Sequence, residues 1–237
     1  MDRTPPAPQA ANPPRPAASR PRLHVWLSLA LALATLAPAS GCLHLLLATG
    51  IYMFEGGNLV PPKTEALENK RVVVLCRPPA SNEYRHAGAS RQIAKKVSYL
   101  LEKNKVPGID VVPPQQVDQW LDENDSENYV ELGKAVKADM VVHIDLAHFE
   151  LFKGKTVYQG NADVTIDVYD VKNQGKLAYH EELGEVLFPV HSGIAVQDKS
   201  QDQFQREFVT VVSDEIAKHF YKHDPHANFA LDAMANR

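Results

Sequence analysis

The chain has 237 residues, of which 44% are hydrophobic and 23% are charged, a composition typical of globular proteins. Beyond Cys42 it holds 21 basic and 28 acidic residues, a net charge of −7. Nucleic-acid binding normally requires a basic surface, so this acidic balance argues against a nucleic-acid partner. The two cysteines, Cys42 and Cys76, are too few for a disulfide framework or a cysteine-based zinc site.

Residues 1–41 have the pattern of a signal peptide. They begin with a segment rich in Pro, Ala and Arg, and an uncharged run follows at residues 25–37 (VWLSLALALATLA). As a helix this run would span about 20 Å. A bilayer core measures about 30 Å, so the run favours a signal-peptide core over a membrane span. Small residues at positions 38–41 (PASG) then precede Cys42, which resembles the lipobox of bacterial lipoproteins and implies cleavage before Cys42 and diacylglycerol on its thiol.

Two other interpretations of the leader stay open. The tripeptide APA at residues 37–39 also fits a small-x-small signal-peptidase site, and cleavage there would release a soluble protein. Alternatively, the apolar residues 43–54 (LHLLLATGIYMF) extend the leader, so that residues 23–54 could form an uncleaved membrane anchor. All three interpretations place the chain from residue 70 onward outside the cytoplasm. We assign residues 42–69 as the lipid-anchored apolar segment and a linker.

Residues 70–223 predict one α/β domain, and residues 224–237 form a C-terminal tail. The Val-rich run at its start is typical of a strand covered on both faces. The predicted elements, in chain order, are a strand at 70–77, a helix at 84–104, a short strand at 109–112, a helix opened by Pro113-Pro114, a helix that Asp125 or Ser126 can cap, strands at 138–152, 156–170 and 176–188, a loop at 191–199 and a helix at 202–221. The order β-α-β-α-α-β-β-β-α predicts a mixed sheet of about five strands with helices packed on it.

Three apolar patterns support this assignment. Residues 156–170 alternate strictly between apolar and polar side chains, as in a half-buried strand. The preceding strand changes phase near Ala147, which predicts a β-bulge. The last helix carries an apolar stripe at four-residue spacing, made by Phe204, Phe208, Val212, Ile216 and Phe220. Cys76 lies in the first strand, where a cysteine behaves as a small buried hydrophobe.

Residues 131–146 (ELGKAVKADMVVHIDL) and 158–170 (YQGNADVTIDVYD) carry a resemblance to a known group. They resemble the periplasmic α/β domains of the curli-secretion channel lipoprotein, the lipoprotein activators of penicillin-binding proteins and the amino-terminal domain of the Tol-system propeller protein. The resemblance implies an envelope lipoprotein that works through protein contacts and has no enzyme activity. We therefore predict a membrane-anchored protein that faces the periplasm and binds an envelope protein partner.

The C-terminal histidines are the candidates for a metal site. His219 and His223 are four residues apart, a spacing that places two imidazoles on one helix face, and His226 follows shortly after. A periplasmic metal-dependent hydrolase using these three residues is the alternative function. The other interpretation is a solvated helix end, where histidines suit the helix dipole.

A second polar row alternates along one strand, with His143, Asp145, His148 and Glu150. We interpret His143 and Asp145 as facing solvent or a helix edge. The sequence has no Gly-x-Ser-x-Gly motif, no phosphate-binding glycine loop and no dinucleotide fingerprint. We therefore predict no catalytic residue and no cofactor.

Overall fold

The structure of the protein is a computed structural model that describes four stretches of the chain, residues 59–77, 83–104, 106–124 and 128–225. The predicted leader, Cys42, the apolar segment at 43–54 and His226 lie outside these stretches. None of the described helices is both long enough and apolar enough to cross a membrane.

The predicted α/β fold is confirmed, and the elements follow the predicted order with one short strand added. In chain order they are β1 (Arg71–Arg77), α1 (Glu83–Lys103), β2 (Asp110–Val111), α2 (Pro114–Glu123), α3 (Tyr129–Ala135), β3 (Met140–Lys153), β4 (Val157–Asp170), β5 (Lys176–Phe188), β6 (Ile194–Ala195), α4 (Gln201–Ala217) and a 3₁₀ helix (Lys218–Phe220).

The strands form one mixed sheet in the order β2-β1-β3-β4-β5. β1 runs parallel to β2 and β3, because helices carry the chain back between these strands. β3, β4 and β5 form an antiparallel meander joined by short turns. The register shift between Leu146 and His148 confirms the bulge predicted near Ala147.

Three local predictions are wrong. Residues 194–195 were expected in a loop, but they pair with the start of β4. β5 ends opposite Gly160, so the edge of β4 that faces away from β3 is open there. The last α-helix ends at Ala217 rather than near residue 221, and a 3₁₀ helix continues it. Finally, α3 is capped by Asn128, whose side-chain oxygen accepts from the backbone N–H groups of Val130 and Glu131, instead of by Asp125 or Ser126.

The main core lies between one face of the sheet and helices α1 and α4. The predicted apolar stripe of the last helix is buried there, together with alternate residues of β1, β3 and β4. Gly160 permits this packing, because a Cβ at this position would lie 2.5 Å from Cγ of Phe208 in α4. Cys76 is buried in the same core, as predicted, and burial raises the pKa of its thiol to about 12.

Part of the predicted linker is attached to this core. Leu67 is fully buried, and Val60 exchanges two backbone hydrogen bonds with His223 of 2.8 and 3.1 Å. The backbone N–H groups of Lys63 and Thr64 both donate to the carbonyl of His219. Residues 59–69 therefore lie along the end of the domain where the chain's C-terminal segment also lies.

Candidate docking face on the open side of the sheet

The second face of the sheet is only partly covered. Helices α2 and α3 pack over the end where β1 and β3 begin, and they bury a smaller core there, made by Val73, Leu75, Val112, Val117, Leu132, Ala138, Val141 and Val171. On this face, no described helix covers β3, β4 and β5 beyond His143. We name the exposed remainder the open face and define it by His143, Asp145, Asp163, Thr165, Asp167, His180, Glu182 and Glu185.

The register of the strands brings these side chains together. His143 lies opposite Asp167, which in turn lies opposite His180. The next row is Asp145, Thr165 and Glu182, and Asp163 lies opposite Glu185 in the row after that. Because directly opposed residues of neighbouring strands point to the same side of a sheet, all of them share this face. Five of the eight are carboxylates, so the open face is strongly acidic.

His143 is the residue on the open face whose polar atoms lack partners. Its side chain is only 6% exposed and stacks on Tyr129 of α3 with 4.1 Å between ring centroids. Both ring nitrogens are buried, and no described residue forms a hydrogen bond with either. Burial lowers the pKa of His143, although Asp145 and Asp167 act in the opposite direction, so the ring is neutral at pH 7.

This arrangement is energetically unfavourable for the isolated domain. More than nine in ten buried polar groups in proteins have a hydrogen-bond partner. Leaving one buried and unpaired costs about 1–3 kcal/mol. The interpretation that His143 lies at a helix edge is confirmed by its contact with α3, and Asp145 is exposed as expected. The burial of His143 beneath Tyr129 was not expected.

Asp167 connects the centre of the open face. Nδ1 of His180 lies 2.7 Å from Oδ1 of Asp167, and the Tyr169 hydroxyl donates to Oδ2 at 3.3 Å. The hydrogen bond to Asp167 raises the pKa of His180 above its ordinary value. Burial, followed by the charge of Asp167, raises the pKa of Tyr169 to about 12. Asp167 therefore holds the side chains of His180 and Tyr169 in fixed positions.

Sequence reasoning missed the roles of Tyr129, Tyr169 and His180. His180 carried no sequence pattern of its own. The turn at residues 171–175 alone would place Tyr179 opposite Asp167. A register shift between Val168 and Tyr169 moves His180 into that place, so no local signal in the sequence identifies it.

The open face is suited to binding a cationic surface. Its carboxylates accept hydrogen bonds and attract positive charge, while Arg77 of β1 lies at its edge, 5.6 Å from the ring centroid of Tyr129. Within the four described stretches, no group of three His, Cys, Asp or Glu side chains is close enough to hold a metal ion.

The predicted metal candidates within the described chain, His219 and His223, have contacts with other parts of the domain. His219 is 2% exposed, and its Nδ1 lies 2.9 Å from the hydroxyl of Tyr179. That hydroxyl also donates to Glu181, which forms an ion pair of 2.6 Å with Lys63. Burial lowers the pKa of His219 to about 4.

His223 is the other metal candidate within the described chain. Nδ1 of His223 lies 3.2 Å from the carbonyl of Tyr221, and the backbone of His223 pairs with Val60. His226 lies outside the described stretches. In the described chain the histidines thus connect the 3₁₀ helix to the rest of the domain.

Comparison with known proteins gives similarity at the level of solved structures alone. No protein-family model matches the chain, and no curated protein matches it. The PelC dodecamer from Paraburkholderia phytofirmans is 12% identical with a TM-score of 0.42, and the match covers 69% of this chain and 94% of that one. Lipoprotein GNA1162 from Neisseria meningitidis is 16% identical with a TM-score of 0.39, and the match covers 62% and 97%.

A minor lipoprotein from Acinetobacter baumannii is 12% identical with a TM-score of 0.30, covering 67% of this chain and 99% of that one. Bacterial lipoproteins are thus among the solved structures that the chain resembles. The group named from residues 131–146 and 158–170 stays a prediction. Similarity at this level carries nothing further about the chain.

Proposed function

We propose that this protein is a lipid-anchored envelope protein whose α/β domain binds another envelope protein through the open face without catalysing a reaction. The observation that carries the proposal is His143, whose two ring nitrogens are buried and unpaired at the inner end of an acidic surface. Because both nitrogens are buried beneath Tyr129, a partner reaches them by displacing that side chain, and it then supplies the hydrogen bonds that the ring lacks.

The charge of the open face defines the chemistry of the partner. Asp145, Asp163, Glu182 and Glu185 are exposed, and together with Asp167 they supply five of the negative charges of a domain that is acidic overall. A basic segment of a partner would be attracted to this surface before contact and held in register afterwards. Such steering weakens steeply as salt is added, because exposed charges are screened.

The size of the open face suits a single segment of the partner. Neighbouring strands lie about 4.8 Å apart, so β3, β4 and β5 together present a width of about 10 Å. Three rows of side chains along the strands add a length of about 15–20 Å. One extended peptide or one helix covers such an area, and this corresponds to the small, transient class of interfaces.

The anchor is part of the proposal and rests on the sequence. Residues 38–42 resemble a lipobox, and the apolar residues 43–54 would lie next to the lipid on Cys42. A protein held at a membrane meets partners in the same envelope at a high effective concentration. Weak binding through a small face is sufficient in that setting.

The test is a charge-dependent photo-cross-link in living cells. A photoreactive amino acid replaces Thr165, at the centre of the open face, in the full-length protein. A face variant combines Asp145→Asn, Asp163→Asn and Glu182→Gln. We expect the unchanged face to form a discrete cross-link to an envelope protein and the face variant to lose it.

The control variant carries the same change of charge on acids elsewhere, Glu65→Gln, Glu102→Gln and Asp198→Asn, all of which are exposed. It should keep the cross-link. A cross-link that survives in the face variant, or that both variants lose equally, contradicts docking through the open face.

A further inference from the structure

The helical layer on the other side of the sheet carries a row of basic side chains around an exposed tyrosine. Tyr99 of α1 is 51% exposed, and the ammonium groups of Lys96 and Lys103 lie 6.0 and 5.7 Å from its ring centroid. Arg206 of α4 and Lys222 beyond the 3₁₀ helix are also exposed on this layer. We name these five residues the basic strip.

The cations of the basic strip are not neutralised by neighbouring acids. Lys95, next to the strip, forms an ion pair of 2.9 Å with Asp118. By contrast, Lys96, Lys103, Arg206 and Lys222 form no ion pair with any acid of residues 59–77, 88–104, 106–124 or 128–225. Four unpaired cations on one side are a local exception in a domain whose charge is otherwise acidic, and they indicate an anionic partner.

A groove between the two helices adjoins the strip. It encloses about 430 Å³ and is lined by Lys96, Tyr99 and Arg206, with Val209 at its base and Gln92 at its rim. A tyrosine and basic side chains around an apolar base are the combination that binds at membrane–water interfaces. The tyrosine ring lies at headgroup level, and the long cationic chains reach the phosphates.

The position of the tether points to the same partner. A second cavity of about 410 Å³ at the end of α1 is lined by Lys103 and Lys222 and also by Leu59, the first described residue, which is 43% exposed. The chain from the predicted anchor at Cys42 therefore joins the domain beside the basic strip. Fully extended, the intervening residues span at most about 60 Å, which is the upper limit for the distance of Leu59 from the anchor.

Two acids adjoin the strip at this end of the domain. Asp214 and Asp224 line the second cavity. Asp214 is half-buried and hydrogen bonds with the hydroxyl of Tyr221, and burial raises its pKa. Lys218 on the same side forms an ion pair with Glu215 and is therefore not counted in the strip.

We infer that the basic strip rests on the anionic phospholipid headgroups of the bilayer in which Cys42 is anchored. The inference rests on the proposed anchor and assigns an orientation to the domain. Since the helical layer and the open face lie on opposite sides of the sheet, contact of the strip with lipid turns the open face toward the periplasm. Each basic side chain near an anionic surface contributes about fivefold to the ratio of docked to undocked domain.

The experiment uses the full-length protein, extracted with its native N-terminus and reconstituted in vesicles. Gln92→Cys at the rim of the groove carries a fluorophore, and the vesicles contain a lipid with a quencher on its headgroup. Vesicles of phosphatidylcholine are compared with vesicles of phosphatidylcholine and phosphatidylglycerol at three to one. Cys76 is buried and does not compete for the label. Glu150→Cys, on the side of the sheet that carries the open face, is the control position for the label.

We expect strong quenching of the fluorophore at position 92 in anionic vesicles but not in neutral ones, and weak quenching at position 150 in both. High salt should reduce the quenching at position 92. Neutralising the strip with Lys96→Gln, Lys103→Gln and Arg206→Gln should lower the docked-to-undocked ratio on the order of 100-fold. The matched control, Lys134→Gln with Lys155→Gln and Lys176→Gln, should leave the quenching unchanged.

Equal quenching in neutral and anionic vesicles, equal quenching at the two label positions, or no effect of neutralising the strip overturns the inference. Flotation of the same samples tests the anchor separately. A chain that floats with neutral vesicles but shows no quenching in either lipid leaves the anchor intact and refutes the strip. A chain that does not float with neutral vesicles contradicts the anchor. In that case, binding to anionic vesicles still tests whether the basic strip contacts anionic lipid.

Discussion

Replacing His143 with phenylalanine should stabilise the domain, although the position is buried. The substitution keeps a ring stacked on Tyr129 and removes two buried nitrogens that lack partners. Each unpaired buried polar group costs about 1–3 kcal/mol, and the larger phenyl ring introduces about 1–3 kcal/mol of overpacking in return. We expect a net increase in the free energy of unfolding of about 1–3 kcal/mol.

The assay is urea unfolding of the full-length protein in mild detergent at pH 7, with the midpoint and slope recorded for each variant. His219→Phe is the matched control, because His219 is equally buried but its Nδ1 is paired with the Tyr179 hydroxyl. That variant should lose about 1 kcal/mol or more.

The direction in which His143→Phe changes the free energy of unfolding decides between two interpretations. If His143→Phe destabilises the domain as His219→Phe does, the nitrogens of His143 have partners in solution, and the argument for a docking site at this residue fails. If it stabilises the domain and also abolishes the cross-link from position 165, the ring is retained for binding at the expense of stability.

The remaining predictions concern the core and the histidines. The pKa of His219 falls from 6.5 to about 4 on folding, so the unfolded chain takes up a proton at this residue before the folded chain does. The free energy of unfolding, measured by urea titration, should therefore decrease by at most about 3 kcal/mol from pH 6.5 to pH 4. His219→Phe should weaken this pH dependence. Gly160→Ala should lower the free energy of unfolding by about 1–3 kcal/mol, because the new Cβ clashes with Phe208. Gly88→Ala should raise it by about 1 kcal/mol or less, because a Cβ there meets nothing within 4 Å and alanine favours the helix. Elemental analysis of the dialysed protein should find zinc well below one equivalent, while a stoichiometric amount would favour the metal-dependent hydrolase.

The sheet was predictable because its strands carry local patterns. Strict alternation in residues 156–170 determines which side chains are buried, and the continuous apolar run of β1 requires cover on both faces. The bulge near Ala147 followed from a change of phase within one strand. Such features depend on neighbours in the sequence, so the sequence alone is sufficient to find them.

The candidate site was predictable only in part, because it depends on contacts between distant segments. Asp145 and Asp167 could be placed on a polar strand face by alternation. The burial of His143 requires α3 to pack against β3. The pairing of Asp167 with His180 requires the register of β5, which an irregularity between Val168 and Tyr169 shifts. The same limit applies to His219, which is buried because Lys63 and Thr64 bind its carbonyl from more than 150 residues away.

The anchor at Cys42 is the premise shared by the docking function and by the orientation of the basic strip, and the intact mass of the protein extracted from native bacterial membranes tests it most directly. The account predicts a chain that begins at Cys42 and carries the added mass of its acyl groups. A mass equal to the full 237-residue chain, or to a chain that begins at Ser40 without lipid, would contradict it.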